Sequence, residues 1–275
     1  MAVLKGEQHV QVLRRKGAAL ECAEDQVADE VAVALAYNGL SHVVMMATPD
    51  NLEDFGRGFS LSEGIIERPE QLYGTEVVQH PLGIELQLEL ATECFEKLKH
   101  RRRNLAGRTG CGLCGAESLE QAVGTPRLVR PAPLPSADAI ENALTQLRKH
   151  QQLQRSTGAV HGAALCDESG RIRLLREDVG RHNALDKLIG AMASCCIQDS
   201  TDYAGRFVLI TSRASFEMVH KCAAANIGAL VAVSAPTALA IEQASRAGIH
   251  LIGFARQGRH VIYTTTDNGD DSHVA

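Results

Sequence analysis

Apolar residues recur along this 275-residue chain with two distinct periods. Residues 84–90, Ile-Glu-Leu-Gln-Leu-Glu-Leu, alternate strictly, which predicts a strand with one buried and one solvated face. Residues 30–37 and 40–47 are apolar runs separated by Asn38-Gly39, a pair suited to the positive φ angles of a tight turn. A β-hairpin is therefore expected to open the fold. Residues 51–66 take helical spacing with Asp50 as the expected cap, and from Thr92 to about Leu105 the helical pattern returns and becomes steadily more basic.

Pro126, Pro131, Pro133 and Pro135 then interrupt both periods, since proline lacks the N–H that a helix interior or central strand requires. We read residues 1–125 as an N-terminal α+β domain, 126–135 as a connector, 136–265 as a second domain and 266–275 as a loose tail. The second domain opens with a polar helix capped by Ser136 and running to about Arg155, followed by an apolar strand, 158–166, paired with 171–175. Helices at 180–195, 215–226 and 236–247 then alternate with strands at 206–211, 229–233 and 249–254, and a last strand covers 260–264. This rhythm predicts a largely parallel sheet covered by helices, an α/β fold.

Composition narrows the classes of function. Apolar residues make up 45% and charged residues 22%, the balance of a folded globular chain. A net charge of −5 argues against a nucleic-acid-binding protein. Met1 to Lys16 alternates apolar with charged residues and lacks a secretory core, and no run reaches the ~20 apolar residues of a membrane span, so a cytoplasmic protein is expected. The eight cysteines are scattered, which suits free thiols in a reducing compartment. Cys195 and Cys196 follow an apolar helical stretch and are expected to be buried.

The close pair with room to cooperate is Cys111/Cys114, in Gly110-Cys111-Gly112-Leu113-Cys114-Gly115. A thiol attacks as thiolate, and nearby cations such as Arg108 and the basic run from Lys97 lower its pKa. Several readings of this loop stay open. The glycine pattern matches a dinucleotide fingerprint, but a basic helix precedes it where a strand is needed. A zinc site would need distant ligands such as Cys94. Redox exchange and a purely structural turn are further alternatives, and the remaining one is a persulfide carrier, in which a thiolate accepts a sulfur atom and passes it on.

Three loops leave the carboxyl ends of successive strands: 211–215, 234–237 and 253–259. In open α/β sheets that edge binds ligands. Ser215 and Thr237 double as helix caps. In the third loop Phe254, Arg256 and Arg259 offer a ring to stack on a base and guanidinium groups to grip phosphates. Asp178, in Glu177-Asp178-Val179-Gly180-Arg181-His182, is read as a helix cap and His182 as a surface residue, with His161 and His182 as alternative proton carriers.

The segments Arg108–Gly115, Glu177–Lys187, Ser212-Arg213 and Gly253–Arg256 together resemble the FdhD/NarQ family of formate dehydrogenase accessory proteins over about residues 25–265. The resemblance implies a sulfur carrier that takes sulfur from a cysteine desulfurase and sulfurates the molybdenum cofactor, a bis-molybdopterin guanine dinucleotide bound as substrate, for formate dehydrogenase. It puts the persulfide on Cys111, with Cys114 as its partner, and cofactor recognition on Phe254, Ala255, Arg256, Gln257, Gly258 and Arg259. It also implies a homodimer with no permanent metal and a C-terminal domain similar to cytidine deaminase, a three-layer α/β/α arrangement. That likeness concerns fold alone, because neither His161 nor His182 opens a His-x-Glu motif and no Pro-Cys-x-x-Cys occurs. The alternative from another class is a binding chaperone for the cofactor whose cysteines hold zinc or shape.

Overall fold

Three sheets organise the chain in a computed structural model that describes residues 6–106, 124–195 and 205–266. The first is a two-stranded hairpin, β1 (Glu7–Lys16) with β2 (Ala19–Ala28), paired antiparallel along its whole length. It precedes the hairpin expected to open the fold. Most of its side chains face solvent on both sides, so it carries no burial period for a sequence to display.

The second sheet has the order β4-β3-β6-β5, with β3 (Val31–Tyr37), β4 (Leu40–Ala47), β5 (Leu72–His80) and β6 (Gly83–Leu90). Asn38 and Gly39 do take positive φ, 46° and 79°, at the β3–β4 turn. Helices α1 (Leu52–Ser62) and α2 (Thr92–Ala106) cover one face, and Phe55, Phe59, Leu35, Leu86, Leu88 and Leu98 form a core between them. The cap of α1 is Asn51, in the left-handed region, and not Asp50, whose carboxylate instead accepts hydrogen bonds from the backbone and side chain of Asn51.

The third sheet has the order β12-β11-β10-β9-β7-β8. Its strands are β7 (His161–Cys166), β8 (Ile172–Asp178), β9 (Phe207–Ile210), β10 (Ala229–Ala232), β11 (His250–Arg256) and β12 (Arg259–Thr264). Only the centre, β9-β10-β11, is parallel, while β7, β8 and β12 join antiparallel, so the sheet is mixed and less parallel than the helix–strand rhythm predicts. Tight hairpins make β7–β8 and β11–β12 antiparallel, and β7 also runs antiparallel to β9, to which no hairpin joins it.

Alternate residues of this sheet enter two cores. On one face α3 (Ala137–His150), capped by Ser136, packs Ile140, Ala143 and Leu147 against Ala164, Phe207, Leu209 and Val231. On the other, α5 (Arg181–Ser194), α6 (Phe216–Ala224) and α7 (Ala238–Ala247) pack against Leu165, Val208, Ile210 and Leu230. The polar helix expected to reach Arg155 breaks at Gln151, and a short helix α4 (Gln152–Thr157) follows. The buried carboxylate of Glu177 accepts from the N–H groups of Leu153 and Gln154 and so caps α4 from another element.

The two larger sheets join through crossed helices. A Cβ on Gly58 of α1 would lie 1.7 Å from the carbonyl oxygen of Asp186 in α5, and one on Gly190 would lie 1.9 Å from that of Asp54. The glycines let the two backbones touch. Among the described residues no helix is long and apolar enough to cross a membrane.

Candidate functional site

The loops after β9 and β10 and the middle of β11 are tied into one edge by their own backbones. Ala214 donates to the carbonyl of Ala235, Thr237 donates to that of Ala214, and Phe254 donates to that of Ser234 at 3.1 Å. Helices α6 and α7 start from this edge, and so does α5, because β8 ends beside the start of β7. Three helix amino termini thus face one surface, with Arg181 at the start of α5 and the exposed Arg213 beside α6. Such an arrangement favours an anionic ligand. Thr237 caps α7 through its hydroxyl, as expected, whereas the Ser215 hydroxyl donates to Glu217.

The third predicted loop is not a loop. Residues 253–256 continue β11, Gln257-Gly258 make the turn and β12 begins at Arg259. Phe254 stands at a register shift with φ +51°, a left-handed conformation that a bulky residue adopts only where its surroundings enforce it. Its ring is 38% exposed at the sheet edge. Arg256, Gln257, Gly258 and Arg259 are exposed around the turn, and the N–H of Gly258 is anchored by Glu141 of α3. Ala255 differs from its neighbours: its methyl group is fully buried in the core beneath α3, so only its backbone can reach a ligand.

Four charged residues of the 177–187 segment, Glu177, Asp178, Asp186 and Lys187, are buried. Asp178 does not cap α5, whose N-cap is Gly180. Its carboxylate lies 2.6 Å from the ammonium of Lys187, both fully buried, and accepts from the N–H of Thr48 and the amide of Asn183. Lys187 also donates to the carbonyl of Thr48, and Asn183 to that of Met46. Burial pulls the Lys187 ammonium below its usual pKa while Asp178 opposes the shift. Beside this pair Lys221 of α6 bonds Asp186, Glu63 and Ser62. Desolvation would lower its pKa, but the two carboxylates outweigh it and the net shift is upward. No local signal announces the Lys221 cluster, because its partners lie far apart in the chain.

His182 is half-buried and contacts Glu217 at 3.2 Å. Burial, with the Arg181 charge, holds its pKa below the ordinary histidine value despite Glu217. His161 is lowered for the same two reasons. Both imidazoles are therefore neutral at pH 7, each able to donate from one nitrogen and accept at the other. His161 lies beside Thr211 and lines a pocket of about 400 Å³ with Gln151, Gln154 and Val160.

Cys111 and Cys114 lie outside the described residues, but the chain on either side of them is placed. Arg101, near the end of α2, donates to the carbonyls of Glu63 and Gly64, and Glu63 pairs with Lys221 of α6. Gly124, where the description resumes, sits against the ring of His220, the neighbouring residue of α6. Arg101 is thus linked to α6 through Glu63, and Gly124 meets the same helix at His220, both contacts falling in its carboxyl-terminal half. Of the other cysteines, Cys94, Cys166 and Cys222 are buried, and Cys195 is exposed where burial was expected, because α5 ends at Ser194 before its apolar face can cover it. Among the described residues no group of three or more His, Cys, Asp or Glu side chains is placed to hold a metal ion.

Known proteins share this arrangement. A protein of Cupriavidus necator named sulfur carrier protein FdhD is 54% identical over 252 residues, 92% of this chain and 86% of that one. A protein of the same name from Bordetella petrii is 50% identical over 92% of this chain and 90% of that one. The crystal structure of a protein from Desulfotalea psychrophila, described as a formate dehydrogenase accessory protein, superposes with a TM-score of 0.71 over 95% of this chain and 98% of that one; at 24% identity it shows the fold. The profile of the FdhD/NarQ family matches residues 28–269, which takes in the cysteine segment, the buried 177–187 network and the sheet edge alike, and the chain belongs to that family.

Proposed function

We propose that this chain is a cytoplasmic sulfur carrier that accepts sulfur on Cys111 from a cysteine desulfurase and passes it to the molybdenum cofactor destined for formate dehydrogenase. The observation that carries the reading is the family match over residues 28–269, which takes in Cys111 together with the sheet edge. A carrier needs its reactive thiol and its acceptor within one reach. Relatives about half identical over nine-tenths of the chain bear the name sulfur carrier.

The Cys111 thiolate attacks the outer sulfur of the donor's persulfide. A new S–S bond forms on Cys111 and the donor cysteine leaves as thiolate, with no net oxidation. The thiolate of Cys114 then attacks the inner sulfur of that persulfide, so that a Cys111–Cys114 disulfide forms and sulfide departs with the bonding electrons. The two electrons gained by the sulfur are those the cysteine pair loses. Phe254, with Arg256, Gln257, Gly258 and Arg259 and the backbone of Ala255, binds the guanine dinucleotide part, and Arg181, Arg213 and the three helix termini suit its diphosphate. The sheet's helices on both faces are compatible with the cytidine-deaminase-like layering, and a homodimer is part of the same reading.

Intact-protein mass spectrometry after incubation with a cysteine desulfurase and cysteine tests the carrier. Cys114→Ala, which cannot expel its sulfur by forming the disulfide, gains one sulfur atom that reduction removes, and Cys111→Ala gains none. A Cys114→Ala chain that gains no sulfur would overturn the reading in favour of a cofactor-binding chaperone.

A further inference from the structure

Two open surfaces of the molecule, far from the third sheet's ligand edge, have complementary chemistry. The first is the β1–β2 hairpin. A hairpin standing alone is marginally stable in water, and a further strand or a helix normally covers its apolar face. This one nevertheless pairs two ten-residue strands from end to end. Directly opposed residues share a face, so Leu13 with Cys22 and Arg15 with Leu20 stand on one side near the tip. Leu13 is 69% exposed, and Leu20 is exposed beside it. Of the cations at this tip, Arg14 pairs with Asp25 and Lys16 with Glu21, whereas Arg15 has no carboxylate partner among the described residues.

The second surface is the face of the β4-β3-β6-β5 sheet that α1 and α2 leave uncovered. The register puts Met46, Val44 and Ala34 on this face beside Glu85, with Glu76, Gln87 and Glu89 further along. An apolar band, in which Val44 is 59% exposed, thus borders an acidic one. Glu76 and Glu89 line a hollow of about 390 Å³ together with Asn38, Gly39, Thr75 and Gln87. Among the described residues neither carboxylate has a cation partner. The Thr75 hydroxyl oxygen, buried in the wall of the hollow, has no hydrogen-bond partner. Two carboxylates and a spare hydroxyl acceptor around one hollow suit a guanidinium group, which carries five N–H donors and no acceptor.

We propose that the hairpin is an arm exchanged between two copies of this chain, its Leu13–Leu20 face lying along the open sheet of the second copy with Arg15 in the Glu76–Glu89 hollow. The inference rests on the homodimer of the reading above, names its contact surface and is independent of the sulfur chemistry. A second copy fits better than an unrelated protein because one chain supplies both halves of the contact, the unpaired arginine with an apolar arm and the unpaired carboxylates with an apolar band. Reach is sufficient. The ten residues of β1 span about 34 Å at about 3.4 Å each, longer than the seven of β3, so an arm can run the length of the receiving sheet. Mutual exchange engages both strands of each arm and the face that receives the other arm, in the range of the about 20–30 residues a side of a standard interface. The family match begins at residue 28, so the arm, except its last residue, lies outside the part that the family profile describes.

Sedimentation equilibrium of the full chain tests the exchange with three variants: Arg15→Glu, the pair Glu76→Arg with Glu89→Arg, and the charge-swapped chain that carries all three changes. Thermal melts verify that each folds. Wild type is a dimer. Like charges brought together weaken dimerisation by about tenfold or more in Arg15→Glu and in the paired variant, and the charge-swapped chain recovers that loss. Recovery separates a direct Arg15 contact from general damage to the sheet. A dimer whose dissociation constant none of the variants changes overturns the arm exchange and leaves the homodimer standing. A monomeric wild type overturns both, while the sulfur gain of Cys114→Ala decides the carrier reading separately. If wild type is monomeric and trypsin cuts at Arg14, Arg15 and Lys16 until a cysteine desulfurase is added, the arm serves the sulfur donor and the proposal falls.

Discussion

At Phe254 the backbone and the side chain have opposed interests. A residue with a Cβ pays on the order of 1–2 kcal/mol in the left-handed region, and glycine does not. Phe254→Gly should therefore be more stable to urea than Phe254→Ala by about 1 kcal/mol, the reverse of the order in an ordinary strand, even though both lose the ring. Equal midpoints would mean that the φ of +51° carries no strain. His182 makes a second residue-scale argument. Its pKa is lowered in the folded state by burial and Arg181, so the unfolded chain binds its proton more readily, and stability is lost as pH falls below the ordinary histidine value of about 6.5 toward the folded one. Glu217 remains ionised across this window: burial would raise it, but bonds from Ser215 and His182 hold it low. Between pH 7.5 and 5.5 wild type should lose more unfolding free energy than His182→Gln, and parallel losses in urea titrations would refute the assignment.

The backbones of α1 and α5 can touch only because Gly58 and Gly190 carry no side chain. A methyl group on Gly58 meets a backbone carbonyl that cannot move without shifting α5, whereas Gly248, the left-handed C-cap of α7 with φ +70°, has nothing within 4 Å of an added Cβ. Gly58→Ala should cost at least the 1–3 kcal/mol of ordinary overpacking, and Gly248→Ala about 1 kcal/mol of backbone strain. The reverse order in thermal melts would place the strain elsewhere. Elements like these divide what the sequence discloses from what it conceals. The alternation in 84–90, the Asn38-Gly39 turn and the helix–strand rhythm after residue 180 are local signals, and the elements they announce are present within a residue or two. The break at Gln151 is invisible because its cause, the Glu177 carboxylate, arrives from β8. The 253–259 hairpin looks like a loop because glycines flank it, and its register shift depends on the neighbouring Ser234 loop. Asp178, Asn183 and Lys187 look like an entry to a surface helix because their partners, Met46 and Thr48, come from the other half of the chain.

Those partners decide how the whole molecule behaves. The fully buried Asp178–Lys187 pair sits where the second sheet's Thr48 corner meets the third sheet's helix, and Lys221 ties Ser62 and Glu63 to α6 a short distance away. With the glycine crossing between them, the two sheets share more than a connector, and neither can open without stranding buried charge. Lys187→Met leaves the Asp178 carboxylate buried without its cation, which costs about 3–5 kcal/mol. If the halves form one cooperative unit, that cost should appear equally in both. Hydrogen exchange read by mass spectrometry on peptides from β3 and β9 reports this directly, since each strand's opening free energy is measured in its own half. In wild type the two values should agree, and in Lys187→Met both should fall by the same amount. A variant in which β3 opens early while β9 keeps its protection would show that the halves unfold separately. Equal opening energies would instead tie α2, which leads into the cysteine segment, and Gly124 against α6, which follows it, to a single unfolding unit.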